Sequence, residues 1–257
     1  MFVGPQSVTG AIALLLFPIA AVVVLRAARG SSRAAIALLL AGALFLPSGL
    51  AIDLPGLPAL FKDQISYLAV LAGLLIARSP ALARSRPGRG LEILTLPMAI
   101  GAVLTTVTNS DLRQYGPTLI AGLPLGDLGT AVVTDVLRYG LPMYLGRCLI
   151  RRVKDLGDVL VLLTVAGLAY SLLCLVEIRL SPQLHRWVYG YHPNVFSYAV
   201  RFGGYRPMVF MESGIAVGIF MASTVVASVT LLRARFSVRL PLSSLATRLV
   251  PAYLPGV

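Results

Sequence analysis

Long apolar runs separated by short loops constrain this chain more than any other feature of its sequence. A helix needs about 20 mostly apolar residues to cross a bilayer, where its backbone polar groups must be paired internally. Only 12% of the residues are charged and 57% are hydrophobic, whereas soluble domains carry about 25% charged residues. We expect an all-α polytopic transmembrane bundle of about seven spans: 8–25, 34–52, 64–77, 91–108, 128–150, 156–176 and 208–232.

The loops between these runs alternate in charge. Arginine-rich loops follow the first, third, fifth and seventh runs, and the loops after the second and fourth runs hold few basic residues. Basic loops stay on the cytoplasmic side, so the N-terminus and the loop 177–207 are predicted outside and the tail 233–257 in the cytoplasm. Residues 1–257 then form one integral membrane domain. This topology explains the net charge of +12, and no nucleic-acid partner is expected.

The outer loop 177–207 concentrates the polar and aromatic side chains. It contains both histidines, His185 and His192, and the single tryptophan, Trp187. It also carries four arginines on the side where basic residues are disfavoured: Arg179, Arg186, Arg201 and Arg206. These arginines favour a binding site for an anionic group on the outer face. The alternative is that this loop departs by chance from the rule that basic loops stay in the cytoplasm.

A short interfacial helix is predicted inside this loop. Ser181 and Pro182 form a helix-start signal, with serine at the N-cap and proline at the first helical position. Apolar residues then recur at the spacing of one helix face: Leu184, Trp187, Val188 and Tyr191. Trp187 would lie at the membrane–water boundary. His185 and Tyr189 lie on the other face, where they either anchor the loop or cover a site in which His185 exchanges a proton near neutral pH.

Arg206 precedes the last apolar run, after a glycine pair that permits a tight turn. Guanidinium groups bind phosphate oxygens bidentately, and a helix N-terminus adds partial positive charge. Arg206, Arg201 and the helix end therefore form a candidate phosphate or pyrophosphate site; the alternative is that Arg206 contacts lipid head groups. Glu212 lies inside the run, where ionisable groups usually face a partner, and we expect a basic partner on another helix.

Polar residues elsewhere in the chain give weaker signals. Asp135 and Arg138 are three residues apart in the fifth run and are predicted to pair, with a substrate-lining role as the alternative. Arg113, in the loop after the fourth run, is a further candidate for anion binding. No carboxylate pair has the spacing of metal ligands, and no nucleotide-binding loop is present.

Three stretches resemble a known family. They are 139–147, which opens with Tyr-Gly-Leu-Pro and ends with Gly-Arg; Glu177 with Ser181 and Pro182; and 201–211, RFGGYRPMVFM, which runs into the last apolar segment. Together they resemble the O-antigen ligase and polymerase family of bacterial envelope polysaccharide enzymes, over residues 132–232. The resemblance implies a multi-pass glycosyltransferase of the bacterial inner membrane. It would transfer a glycan from a polyprenyl-pyrophosphate carrier to an acceptor hydroxyl on the periplasmic side, without metal, nucleotide or other cofactor.

The resemblance also implies roles for individual residues. In the family an arginine before the span handles the carrier pyrophosphate, and Arg206 matches it in position. This resemblance and the charged residues of the outer loop together give four catalytic candidates: Arg206, Arg201, His185 and His192. One of the histidines would be the base that activates the acceptor hydroxyl. The substrate-binding candidates are Arg186, Trp187, Tyr189, Tyr205, Arg113 and Glu212. Glu212 and Ser213 stand where similar members carry a histidine.

The family usually continues with more spans and a second outer loop, whereas the tail 233–257 is too interrupted by arginine and proline to span. We therefore expect this chain to supply half of a site, completed by a continuation of the chain or by a partner chain, and to be inactive alone. Two rival functions are a transporter or flippase of an anionic lipid-linked glycan and a structural subunit of a membrane complex.

Overall fold

The computed structural model describes residues 2–54, 58–83, 90–124, 126, 128–201 and 203–234. Most of the predicted tail, 235–257, lies outside them, and so does the side chain of Arg201. Helices dominate the described residues. They are α1 (Val8–Ala27), α2 (Ser32–Phe45), α3 (Lys62–Ile76), α4 (Pro80–Ala83), α5 (Thr95–Thr108), α6 (Leu128–Asp135), α7 (Leu141–Leu149), α8 (Val153–Leu180), α9 (Leu184–Tyr189) and α10 (Gly214–Ala234).

Three of the described helices, α1, α8 and α10, are long and apolar enough to cross a membrane. The helices α2 and α5 are apolar but have 14 residues each. A helical membrane protein is thus confirmed at the level of class, while the count of seven spans stays a prediction. The second predicted run, 34–52, is helical only to Phe45, because Pro47 holds the preceding Leu46 in an extended conformation.

The fifth predicted run is interrupted by a π-turn at Val136–Gly140, between α6 and α7. In a regular helix the ring of Pro142 would meet the carbonyl of Arg138, and the wider turn avoids this clash. The extra residue rotates Arg138 away from Asp135, so the predicted pair does not form. Within the part of the chain that the structure describes, one ion pair is present, between Arg33 and Asp158 at 3.6 Å.

Two helix pairs form the core. Helix α1 packs against α3, α10 packs against α8, and α2 contacts both α3 and α8. Glycines let the helices approach closely: a Cβ at Gly73 would lie 2.6 Å from the Leu25 side chain, and one at Gly167 would lie 2.1 Å from Thr224. Gly42 similarly faces α3. Small residues at such contacts are typical of helices that associate in membranes.

Three antiparallel strand pairs lie in the loops: β1 (Phe2–Val3) with β2 (Ala51–Ile52), β3 (Arg113–Tyr115) with β4 (Thr118–Ile120), and β5 (Val200–Arg201) with β6 (Gly204–Tyr205). The N-terminal residues, the 46–52 loop and the 181–213 region meet at one end of the molecule, which we call the aromatic end. The loops that follow α1, α3 and α7 meet elsewhere, at the arginine-rich end. The alternation of basic and nearly neutral loops in the sequence predicts that the loops after α1, α3 and α7 lie on the same side.

Candidate functional site

The stretch 208–211 crosses the aromatic end as irregular backbone. Its four residues are buried, and Val209 has a φ of +52°, which is unusual for a β-branched side chain. The last helix therefore begins at Gly214 and not at the predicted residue 208. Backbone without helical hydrogen bonds needs other partners when it is buried, and four side chains from three parts of the chain supply them here.

Glu177, near the end of α8, supplies the first set of partners. Its side chain is 1% exposed. One carboxylate oxygen accepts hydrogen bonds from the backbone N–H groups of Met208 at 2.8 Å and Val209 at 2.7 Å. The other oxygen accepts from the N–H of Leu184 at 3.1 Å, at the start of α9. A single buried carboxylate thus fixes both the 208–211 stretch and the interfacial helix.

The backbone of Phe210 is fixed from the other side. Its carbonyl accepts hydrogen bonds from Lys62 Nζ at 3.1 Å and Ser48 Oγ at 2.8 Å, and its N–H donates to the Tyr170 hydroxyl at 3.1 Å. Lys62 Nζ also donates to the carbonyl of Ala43 at 2.9 Å. Helices α2, α3 and α8 and the 46–52 loop therefore all hold this stretch, which gives Arg206 and Glu212 a rigid base.

The interfacial helix α9 begins at Leu184, with Gln183 at its N-cap. The predicted start at Ser181 and Pro182 is wrong, because Ser181 has a φ of +74° and ends α8. Trp187 and Val188 are exposed while His185 and Tyr189 are buried, as the spacing predicts. Leu184 and Tyr191, predicted on the same face as Trp187, instead pack against the core. An outward apolar face with an inward polar face suits a helix that contacts lipid.

His185 joins α9 to the 46–52 loop. Its Nδ1 donates to the carbonyl of Tyr191 at 2.8 Å, and its Nε2 accepts from the N–H of Ser48 at 3.3 Å. The side chain is 2% exposed, and burial lowers the pKa of His185 to about 4. The ring is therefore neutral near pH 7. Both ring nitrogens are engaged, so in this arrangement His185 positions α9 and has no nitrogen open to a substrate.

Two tyrosine hydroxyls complete this contact. Tyr191 donates to the carbonyl of Ser48 at 2.7 Å, and Tyr189 donates to the carbonyl of Phe45. Burial raises the pKa of both hydroxyls. Tyr189, predicted to bind substrate, is thus committed to the end of α2.

Arg206 follows the β5–β6 hairpin, whose turn contains Gly203 with a φ of +76°. The side chain of Arg206 lies on Gly214, the first residue of α10: a Cβ at Gly214 would be 2.2 Å from Arg206 Cδ. The backbone N–H of Arg206 donates to the carbonyl of Ala199 at 2.7 Å. The guanidinium group forms no hydrogen bond or ion pair with the described residues. A cation without a partner among the described residues therefore lies beside the N-terminus of a 21-residue helix.

The other predicted site residues are distributed unevenly. His192 is half-buried. Its ring centroid lies 5.7 Å from that of Phe196, which in turn lies 6.2 Å from that of Tyr205, the residue before Arg206. Arg186 is exposed on α9. Arg113 lies on the exposed β3–β4 hairpin. Arg201 is in β5, and its side chain lies outside the described residues.

A charged cleft of about 200 Å³ lies beside the 208–211 stretch. Lys62 and Asp63 from the start of α3, Arg138 from the π-turn and Glu212 line it together with Ser48. Lys62 and Arg138 are basic residues of other elements that line the cleft with Glu212, but neither forms an ion pair with it in the described structure. Sequence reasoning did not connect Lys62, Asp63 and Arg138 with Glu212, although the charges of Arg138 and Glu212 within apolar runs were a signal.

Comparison with family models, with curated proteins and with solved structures finds no match for this chain.

Proposed function

We propose that this chain is a seven-span protein of the bacterial inner membrane that binds a polyprenyl-pyrophosphate-linked glycan at its aromatic end and takes part in transfer of the glycan to an acceptor hydroxyl. The observation that carries the proposal is the position of Arg206, whose guanidinium lies beside the start of α10 and has no partner among the described residues.

Pyrophosphate suits this position for two reasons. A guanidinium group binds two phosphate oxygens at once, and the N–H groups at a helix start add favourable partial charge. The segment that carries Arg206 is held by the β5–β6 hairpin on one side and by the bonds from Glu177 on the other. A site fixed in this way loses little conformational freedom when it binds an anion.

Glycan transfer needs charge stabilisation and a base. As the bond between the anomeric carbon and the pyrophosphate oxygen breaks, negative charge grows on the leaving pyrophosphate, and Arg206 stabilises it. The acceptor hydroxyl forms the new bond and gives its proton to a base. Of the two predicted histidines, His192 is the better candidate, because both ring nitrogens of His185 are already hydrogen-bonded.

The seven-span arrangement is supported by where the loops meet. The β1–β2 pair and the hydrogen bonds to Ser48 join the N-terminus, the second loop and the sixth loop. Ser79 Oγ donates to the carbonyl of Gly30 at 2.7 Å, which joins the first and third loops. These contacts support a crossing from one end of the molecule to the other for α1, α2, α3 and α8.

Binding of the carrier to purified full-length chain in nanodiscs tests the proposal. Replacing Arg206 with alanine should weaken binding of polyprenyl pyrophosphate about tenfold or more, because charge-assisted hydrogen bonds contribute about 1.5–3 kcal/mol. Arg206→Lys should recover only part of this affinity, since an ammonium group cannot bind two oxygens in one plane. Arg179→Ala removes an exposed arginine at the end of α8 and should bind normally.

Wild-type affinity in Arg206→Ala would refute the assignment. With a glycosylated carrier, release of free polyprenyl pyrophosphate supports transfer. Movement of the intact carrier across the bilayer would instead indicate a transporter.

A further inference from the structure

Two cavities meet at the π-turn Val136–Gly140, and neither contains Arg206. The first is the charged cleft, which Arg138 lines. The second is an apolar groove of about 630 Å³, which Val136, Leu137 and Gly140 line from the same turn. Neighbouring residues of one five-residue turn therefore face a charged space and an apolar space. π-turns of this kind are frequent at functional sites.

The charged cleft is balanced in sign. Lys62 and Arg138 contribute two positive charges, and Asp63 and Glu212 contribute two negative charges. No ion pair joins these four residues in the described structure, and Lys62, which donates to two carbonyls, keeps one ammonium N–H for a ligand. Asp63, Arg138 and Glu212 are exposed, whereas Lys62 is buried and directs its ammonium to the carbonyls of Ala43 and Phe210. An anion alone would meet two carboxylates here, and a cation alone would meet two bases.

The groove is lined by the apolar side chains of α3, α5 and α7, among them Leu68, Leu71, Leu96 and Leu141. Its volume and lining suit hydrocarbon chains and offer little to a polar solute.

We propose that the cleft and the groove together bind a zwitterionic phospholipid that carries a primary ammonium group, of the phosphatidylethanolamine type. Arg138 and Lys62 bind its phosphate, Glu212 and Asp63 accept hydrogen bonds from its ammonium, and its acyl chains occupy the groove. The balance of two positive and two negative charges selects this head group over an anionic one. A primary ammonium group donates three hydrogen bonds, whereas a quaternary ammonium group donates none, so phosphatidylcholine fits less well.

The proposal does not depend on the pyrophosphate site, because no residue of the cleft or groove belongs to the Arg206 contact with Gly214. A bound phospholipid would place a fixed lipid between α3, α5 and the π-turn, beside the stretch that carries Glu212.

Native mass spectrometry of the purified full-length chain in detergent measures the binding. Phosphatidylethanolamine, phosphatidylcholine, phosphatidylglycerol and polyprenyl phosphate are added separately and in pairs. We expect phosphatidylethanolamine to be retained about tenfold better than either other phospholipid, a difference of ~1.4 kcal/mol.

Variants separate the parts of the site. Glu212→Gln should reduce this preference about tenfold and improve binding of phosphatidylglycerol, because it removes one negative charge. Arg138→Gln should weaken binding of all phospholipids, and Leu96→Trp should do the same by filling the groove. The matched controls Asp111→Asn and Arg179→Gln remove exposed charges outside both cavities and should leave the binding unchanged.

Circular dichroism and elution as a single species establish that each variant is folded. The proposal is overturned if phosphatidylglycerol or polyprenyl phosphate binds more tightly than phosphatidylethanolamine. It is also overturned if folded Glu212→Gln keeps the full preference, or if Leu96→Trp binds as the wild type does.

Discussion

The two ends of the molecule use polar residues in opposite ways. At the arginine-rich end the basic side chains are mostly exposed, and the described contacts include one ion pair between Arg33 and Asp158, at 3.6 Å, and one hydrogen bond from Ser79 to Gly30. At the aromatic end the key polar groups are buried, and each bonds to backbone atoms: Glu177, His185, Lys62 and Tyr170.

The difference follows from the backbone that each end contains. Short turns between helices leave most of their peptide groups in water, and we expect the exposed arginines there to act through charge and to orient the chain. The 208–211 stretch is irregular and buried, and its peptide groups must be satisfied by the protein. Loss of one charged side chain should therefore have little effect on stability at the arginine-rich end and should destabilise the protein at the aromatic end.

The largest expected difference between the two ends is the side of the membrane on which each end lies. Reporter fusions at Arg86 and Gly190 should report the cytoplasm and the periplasm respectively, because the arginine-rich loops stay inside. Fusions that report the same side, or the reverse order, would contradict the topology and the external site together.

Replacing Glu177 with glutamine should have the largest effect on stability. The variant removes the charge that accepts three backbone hydrogen bonds and turns an amide N–H₂ group toward them. We expect a loss of about 3 kcal/mol or more, measured as a lower melting temperature in detergent. The matched change Asp158→Asn, which breaks the ion pair at the arginine-rich end, should cost less than ~1 kcal/mol. Equal losses of stability in the two variants would contradict the view that polar side chains contribute more to stability at the aromatic end.

A smaller effect should appear as acid sensitivity of the aromatic end. The pKa of His185 is about 4 in the folded protein, against about 6.5 in the unfolded chain. The unfolded chain therefore binds more protons between these values, and stability is full above about pH 6.5 and falls as the pH drops toward 4. The loss is on the order of 3 kcal/mol at most.

Fluorescence of Trp187, the single tryptophan, monitors the docking of α9 during acid titration. His185→Gln keeps an acceptor and a donor but does not titrate, so its stability should depend less on pH over this interval. A wild type and a His185→Gln variant with the same pH profile would show that His185 does not carry the effect.

The positions of the long helices could be predicted from the sequence, because an apolar run of about 20 residues has few alternatives to a membrane helix. The predicted runs 8–25 and 156–176 correspond to α1 and α8 within a few residues. The inward face of α9 and the place of Arg206 near the last helix also followed from local spacing. Local signals failed where the backbone leaves the helix, at Phe45, at the π-turn and before Gly214.

The sequence by itself determined the class of the protein, its apolar helices and the grouping of its loops by charge, since these depend on composition and on neighbouring residues. Tertiary structure alone decided the partners of Glu177, the engagement of both nitrogens of His185 and the cleft between Lys62, Arg138 and Glu212. These contacts join residues far apart in the chain, and each residue looks unremarkable in its own segment. Pairing between distant groups depends on how the helices pack, and no local pattern of residues encodes that packing.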